Sequence, residues 1–130
     1  MKIAHLAIWT NQLEQLRDFY CNYFGAKSNE KYLNPAKQFT SYFLTFEIGS
    51  CGLELMSKPN LDDPFNVELK VSKGMAHFAF SVGSEANVDK FTARLREAGV
   101  RIIGEPRHTG DGFYESVIKD PDGNIIEITV

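Results

Sequence analysis

Ile3-Ala4-His5-Leu6-Ala7-Ile8 is an apolar run interrupted once, by a histidine, and it returns 72 residues later as Met75-Ala76-His77-Phe78-Ala79-Phe80. Both runs read as strands, because side chains on a strand alternate between faces and the polar residue takes the face opposite its neighbours. In the first, Ala4, Leu6 and Ile8 share one face while His5, Ala7 and Trp9 share the other. In the second, Phe78, Phe80 and Val82 pack inward and His77, Ala79 and Ser81 line the opposite side. Two more runs carry a carboxylate in the same setting: Leu53-Glu54-Leu55-Met56 and Ile125-Ile126-Glu127-Ile128.

Working outward, the chain reads strand, helix and three strands, and then repeats that order. A first strand over about residues 2 to 9 leads through Thr10-Asn11, an expected N-cap, into a helix with Leu13, Leu16, Phe19 and Tyr23 on one stripe and Gly25 as its stop. Strands are expected near 26 to 32, 39 to 47 and 51 to 57, the last pair joined through Gly49-Ser50-Cys51-Gly52. The second half opens with a strand over about 75 to 82. Its helix carries Val88, Phe91, Leu95 and Ala98 and ends at Gly99. Strands follow near 100 to 105, 112 to 119 and 125 to 130, with Asp120-Pro121-Asp122-Gly123-Asn124 as the last turn. Offsets of 72 residues for His5 to His77 and Phe19 to Phe91, 73 for Glu54 to Glu127 and 74 for Gly25 to Gly99 mark an internal duplication. The expected fold is α+β: a single domain over residues 1 to 130 made of two βαβββ modules, about 1–58 and 73–130. A loop, 59–72, joins them, and residues 65 to 71 within it are an edge strand or an arm.

The chain's 130 residues are enough for one domain with a real core. A 43% hydrophobic and 24% charged composition is ordinary for a globular protein. With 14 basic and 17 acidic residues the net charge is -3 and no basic cluster stands out, so nucleic acid and anionic membrane are not expected partners. The N-terminus has no signal-peptide pattern and no run approaches the ~20 apolar residues of a membrane span, which points to the cytoplasm. Cys21 and Cys51 have no cysteine or histidine at zinc-finger spacing and are expected to be free thiols.

A lone strand histidine is ordinarily a structural residue and a lone glutamate ordinarily faces water. Four such residues at repeat-related positions, with matching face parity, point instead to a shared metal. A buried carboxylate without a counter-charge costs on the order of several kcal/mol, and one cation satisfies both Glu54 and Glu127. Two imidazoles and two carboxylates form a mixed nitrogen and oxygen set that leaves coordination positions open. It suits nickel, cobalt or zinc, with iron and manganese as alternatives, whereas magnesium and calcium prefer oxygen alone.

The paired modules, with His5 near the start, Glu54 closing the first, His77 opening the second and Glu127 after the Asp-Pro-Asp-Gly-Asn turn, resemble the vicinal oxygen chelate superfamily, and within it glyoxalase I. The resemblance covers nearly the whole chain. It implies a cupped mixed sheet around one divalent metal held by His5, Glu54, His77 and Glu127, often completed by two subunits of a homodimer. It also implies a small-molecule substrate: a hemithioacetal of a 2-oxoaldehyde and a thiol. Glu127, with Glu54 as its near-symmetric counterpart, would remove the carbon-bound proton, the cation would stabilise the enediolate as a Lewis acid, and proton return would give a 2-hydroxyacyl thioester.

The resemblance breaks at two positions. Glutathione-using members carry arginine four residues after the first ligand and asparagine four after the second; this chain has Trp9 and Lys58 there, with Asn60 two positions late. A different thiol or a different chelating substrate follows as an expectation. Trp9 shares the His5 face and is a candidate pocket wall, or else a core or interface tryptophan. Arg107 and His108 open a glycine-rich polar segment, 107–115, that reads as a lid or anion-binding loop, or as a plain turn. Lys58, Lys70 and Lys73 read as solvated charge. Other superfamily chemistries remain as alternatives. An acyl-CoA epimerase shares the proton-abstraction step. An extradiol dioxygenase or a thiol transferase would leave Glu54 surplus. A non-catalytic drug-binding protein of the same fold would not need the four ligands.

Overall fold

In the computed structural model, which describes residues 2–47, 51–61, 74–110 and 112–130, the chain divides into two compact units, Met1–Asn66 and Val67–Val130. In the first unit the opening apolar run becomes β1 (His5–Trp9), followed by α1 (Leu13–Phe24). The expected second strand is split into β2 (Lys27–Ser28) and β3 (Tyr32–Asn34), and after one 3-10 turn (Pro35–Lys37) come β4 (Phe39–Thr45) and β5 (Gly52–Ser57). The split has a local cause: the Asn29 side-chain carbonyl accepts the Phe43 amide at 2.6 Å, replacing a backbone ladder bond where the two pieces part. Both pieces pair antiparallel with β4, so the sheet runs β1-β5-β4-β2 with β3 also on β4.

The second unit follows the same plan with β6 (Phe78–Ser81), α2 (Glu85–Glu97), β7 (Arg101–His108), β8 (Tyr114–Lys119) and β9 (Ile125–Thr129), in sheet order β6-β9-β8-β7. In each unit the first strand pairs parallel with the last, and the remaining pairs are antiparallel. The α+β duplication expected from the sequence is therefore present as two mixed sheets with one helix each. The connector's residues 62–73 lie outside the described residues, and with them the segment 65 to 71, Lys70 and Lys73.

Each core is the helix stripe against the sheet face that carries no polar ligand candidate. Leu13, Leu16, Phe19 and Tyr20 of α1 are buried with Leu44, Leu53 and Leu55. Tyr20 takes the place expected for Tyr23, because its ring packs on both Phe19 and Phe24. In the second unit Val88, Thr92 and Leu95 of α2 are buried with Ile118, Ile126 and Ile128. Thr92 stands where Phe91 is expected: its hydroxyl bonds the buried Ser116 hydroxyl at 2.6 Å and the Val88 carbonyl at 2.7 Å. Thr10 does not cap α1. Its hydroxyl accepts the Gln12 amide at 2.8 Å in the preceding turn, and Gln12 occupies the cap position, its side chain making no capping bond to the helix. Gly25 ends α1 in the left-handed conformation at φ 68°, as expected. Cys21 and Cys51 are free.

Asp120 makes the last turn. Its carboxylate accepts the backbone amides of Asp122 and Asn124 at 3.0 and 2.9 Å and the Asn124 side-chain amide at 2.8 Å, which aims the chain into β9.

Candidate metal centre

The register of the two parallel pairs places the candidate ligands. In the first unit Ala7 pairs with Glu54, and in the second Ala79 pairs with Glu127. Paired residues share a face, and His5 and His77 each lie two residues before that alanine, so each unit sets one histidine beside one glutamate on its non-core face. His5 Nε2 lies 3.9 Å from Glu54 Oε2, and His77 Nε2 lies 3.1 Å from Glu127 Oε2. The glutamates are largely covered, at 25% and 19% side-chain exposure, while the imidazoles are 45% and 44% open.

Donors on adjacent corners of an octahedron with bonds near 2.1 Å are about 3.0 Å apart, and on a tetrahedron about 3.4 Å. The His77 and Glu127 pair already has that separation, and the His5 and Glu54 pair needs to close by roughly half an ångström or more. In both, the donor atoms are a histidine Nε2 and a carboxylate oxygen, and a borderline divalent cation accepts that set. Each unit thus brings its own two candidates together. Among the described residues no group of three or more His, Cys, Asp or Glu side chains is assembled as a metal site.

The pairs have neighbours that the sequence did not announce. Phe43 pairs with Glu54 across β4 and β5, and its ring meets the His5 imidazole edge-on at 5.4 Å. That ring lies over Gly52, the register partner of His5, where a Cβ would come within 2.8 Å of Phe43 Cε1. Gly52, expected where the joining turn enters the strand over 51 to 57, is the first residue of β5, and its missing side chain leaves the space that the Phe43 ring fills beside His5. In the second unit Val117 pairs with Glu127, and Gly104 pairs with Val117 one strand further out. A Cβ on Gly104 would meet Val117 at 3.0 Å and the Arg107 guanidinium at 3.1 Å.

The segment 107–115 is strand at both ends, and residues 109–110 and 112–113 between them lie outside the strands. Arg107 and His108 end β7, Tyr114 and Glu115 begin β8, and His108 pairs with Tyr114. Arg107 folds over Gly104 on the Glu127 face, with Nη2 3.6 Å from Glu115 Oε1. His108 takes the opposite, helix-facing side. Its ring stacks at 4.8 Å on Tyr114, whose hydroxyl donates to Asp89 of α2 at 2.8 Å, and Nε2 is 3.9 Å from Glu85. Of these two sequence candidates, only Arg107 shares a face with the His77 and Glu127 pair.

Trp9 stands at the end of β1 on the His5 face, 47% exposed. Lys58 is exposed, as expected of a solvated charge, and its ammonium also lies over the Trp9 ring, 5.0 Å from the centroid. The Trp9 ring also meets Phe39 edge-on at 6.0 Å, and Phe39 meets Tyr32 at 6.1 Å.

The model of the Glyoxalase/Bleomycin resistance protein/Dioxygenase superfamily matches residues 2–128. The chain belongs to this superfamily. Biphenyl-2,3-diol 1,2-dioxygenase 3 of Rhodococcus globerulus is 31% identical over 99% of this chain and 63% of its own length. The mitochondrial methylmalonyl-CoA epimerase of Bos taurus is 29% identical over 84% of this chain and 61% of its own. The chain thus spans less than two thirds of these relatives. Among solved structures, the trypanothione-dependent glyoxalase I of Leishmania major superposes with a TM-score of 0.74 at 25% identity, covering 99% of this chain and 86% of that one. A glyoxalase, a dioxygenase and an epimerase are thus among the proteins this chain is similar to. Members of the superfamily are typically metal-dependent, and many are enzymes acting on small molecules. Among the described residues no helix is long and apolar enough to cross a membrane.

Proposed function

We propose that this protein is a metal-dependent isomerase or lyase of the glyoxalase type, in which His5, Glu54, His77 and Glu127 together hold one divalent cation. The observation that carries the reading is the repeated histidine and glutamate pair, built in the same register in both units with Nε2 facing a carboxylate oxygen. Nickel, cobalt or zinc fits the donor set best. When bound, the cation supplies Lewis-acid polarisation of adjacent substrate oxygens.

The chain's own residues carry the proton. Glu127, mostly covered and beside His77, is the base that takes the proton from the thiol-bearing carbon of a 2-oxoaldehyde hemithioacetal. The electron pair of that C–H bond moves toward the neighbouring carbonyl carbon. The carbonyl π pair moves to its own oxygen, the same proton, or its equivalent on Glu54, returns to that carbon, and the hydroxyl proton of the thiol-bearing carbon passes to the former carbonyl oxygen, leaving a 2-hydroxyacyl thioester. No electrons are gained or lost overall. His5 and His77 would remain ligands, and Phe43 packs against His5, limiting the rotation of its imidazole. A homodimer in the cytoplasm belongs to this reading.

The test is elemental analysis of the purified protein, then nickel, cobalt, zinc or manganese addition with methylglyoxal and a panel of thiols, reading thioester absorbance. Metal-dependent thioester formation supports the proposal; turnover that survives metal removal overturns it. The stacked Trp9 and Lys58, at the positions where glutathione-using members carry arginine and asparagine, favour a second reading, epimerisation beside an acyl carbonyl by the same glutamate chemistry. Exchange of the α-proton of a 2-methylacyl thioester for deuterium, without thioester synthesis, would select it.

A further inference from the structure

We propose that the non-core face of the first unit binds the substrate's tail, and that this tail is an aromatic group bearing a single carboxylate. The proposal rests on the metal-dependent reading only in placing the reacting end of the substrate at His5 and Glu54.

Three aromatic rings follow one another on that face. Trp9 ends β1; Phe39 and Tyr32 reach the same side because Asn34 pairs with Phe39 and Tyr32 pairs with Ser41, two residues on. Successive ring centroids are 6.0 and 6.1 Å apart at interplanar angles of 85° and 61°, a series of edge-on steps. Such angled rings leave aromatic faces open to a planar guest. Exposure of 47% at Trp9 and 51% at Tyr32 shows that the described chain does not cover them.

At its Trp9 end the surface carries a positive charge. Lys58 lies one residue past β5 and its ammonium sits over the indole, held there by the cation and ring attraction. Among the described residues it has no carboxylate partner. An ammonium parked on an aromatic wall without a counter-ion matches an anion carried by an aromatic guest, and it repels an amine. The spacing fits a single molecule. Ala7 is the register partner of Glu54, and Trp9 lies two residues further, roughly 7 Å along the strand. The ring and its carboxylate therefore bind about one ring length from the histidine and glutamate pair.

Trp9 is the chain's single tryptophan, so its emission reads this subsite directly. The experiment titrates the full-length protein, chelator-treated and zinc-loaded, with 3-phenylpropionate, 3-phenylpropylamine, hexanoate and glutathione. A saturable change in Trp9 emission with 3-phenylpropionate, at least tenfold tighter than with the other three, is expected. Lys58→Met should erase the preference of acid over amine, and Phe39→Leu should weaken 3-phenylpropionate severalfold, each with an unchanged circular dichroism spectrum. Equal response to acid and amine, or no response, overturns the proposal. So does an emission maximum that shifts with protein concentration and ignores ligand, which would assign the face to a second copy of the chain. The two readings fail separately. A protein that binds 3-phenylpropionate but no metal sinks the metal chemistry alone; one that binds metal and isomerises the glutathione adduct without aromatic-acid preference sinks the subsite alone.

Discussion

At the scale of single residues, the two glutamates and His5 are held differently. Glu54 and Glu127 sit inside paired strands, flanked on both sides by β-sheet neighbours, so their backbone positions follow from the ladder. His5 depends on packing: the Phe43 ring lies against it, and that ring lies where a Gly52 side chain would be. Gly52→Ala brings a methyl group within 2.8 Å of the ring and forces it to turn toward His5 or away from the sheet. The expected result is a loss of about 1 to 2 kcal/mol of stability, the scale of modest overpacking, with the His5 imidazole resonances displaced in an NMR spectrum. A thermal melt and a histidine-selective spectrum check it; unchanged imidazole shifts would show that Phe43 does not position His5.

At the scale of elements, the first helix is tied to its sheet by polar as well as apolar contacts. Tyr42 on β4 donates its hydroxyl to Glu14 of α1 at 2.8 Å, Arg17 donates to the same hydroxyl at 3.0 Å, and Lys31 closes on Glu14 at 2.6 Å. The Lys31 hydrogen bond, opposed by desolvation and helped by Tyr42, holds the Glu14 carboxyl below its ordinary 4.5. A carboxylate held low in the folded state adds stability above its unfolded value and loses it as pH falls through the folded one. Glu14→Gln should therefore lower Tm at neutral pH by the equivalent of roughly 0.5 kcal/mol, the scale of an exposed ion pair, and the difference should vanish as pH falls below the lowered folded value and both states are protonated. Tm measured across pH for both proteins tests this, and a gap that stays constant into acid would refute it. The elements themselves were mostly legible. Both helices, their glycine stops and the four ligand-bearing runs follow from period and punctuation. The departures came where a side chain substitutes for backbone, as Asn29 does between β2 and β3, or where a strand carries an extra residue. β7 is the second kind: its register shifts between Gly104 and Arg107, so three residues span what β8 spans in two. Gly104 and Arg107 thereby share a face despite their odd spacing, which simple alternation does not foresee, and His108 turns to the helix side.

At the scale of the whole molecule, the decisive quantity is how many cations one chain binds. If His5, Glu54, His77 and Glu127 share one ion, zinc titration should saturate at one equivalent per chain, and His5→Ala or His77→Ala should each abolish tight binding. Independent pairs would instead take up two equivalents and leave one after either substitution. Mass spectrometry under native conditions separates these results, and the second would remove the shared site from the proposal. The duplication makes the expectation specific, since a donor pair repeated at matched register in two units supplies four ligands from one sequence pattern.

The sequence by itself determined the duplication, the α+β class, the alternation of core and non-core faces and the identity of the four ligand candidates. These depend on local periodicity and on spacings along the chain, and both are written in residue order. Tertiary structure alone decided which groups touch. It set Ala7 opposite Glu54 and Ala79 opposite Glu127 across parallel strands nearly fifty residues apart, laid Phe43 on Gly52, stacked Lys58 on Trp9 and aligned Tyr32 and Phe39 with them. Register between distant strands is chosen by the fit of whole core faces against a helix, so no single residue announces its partner.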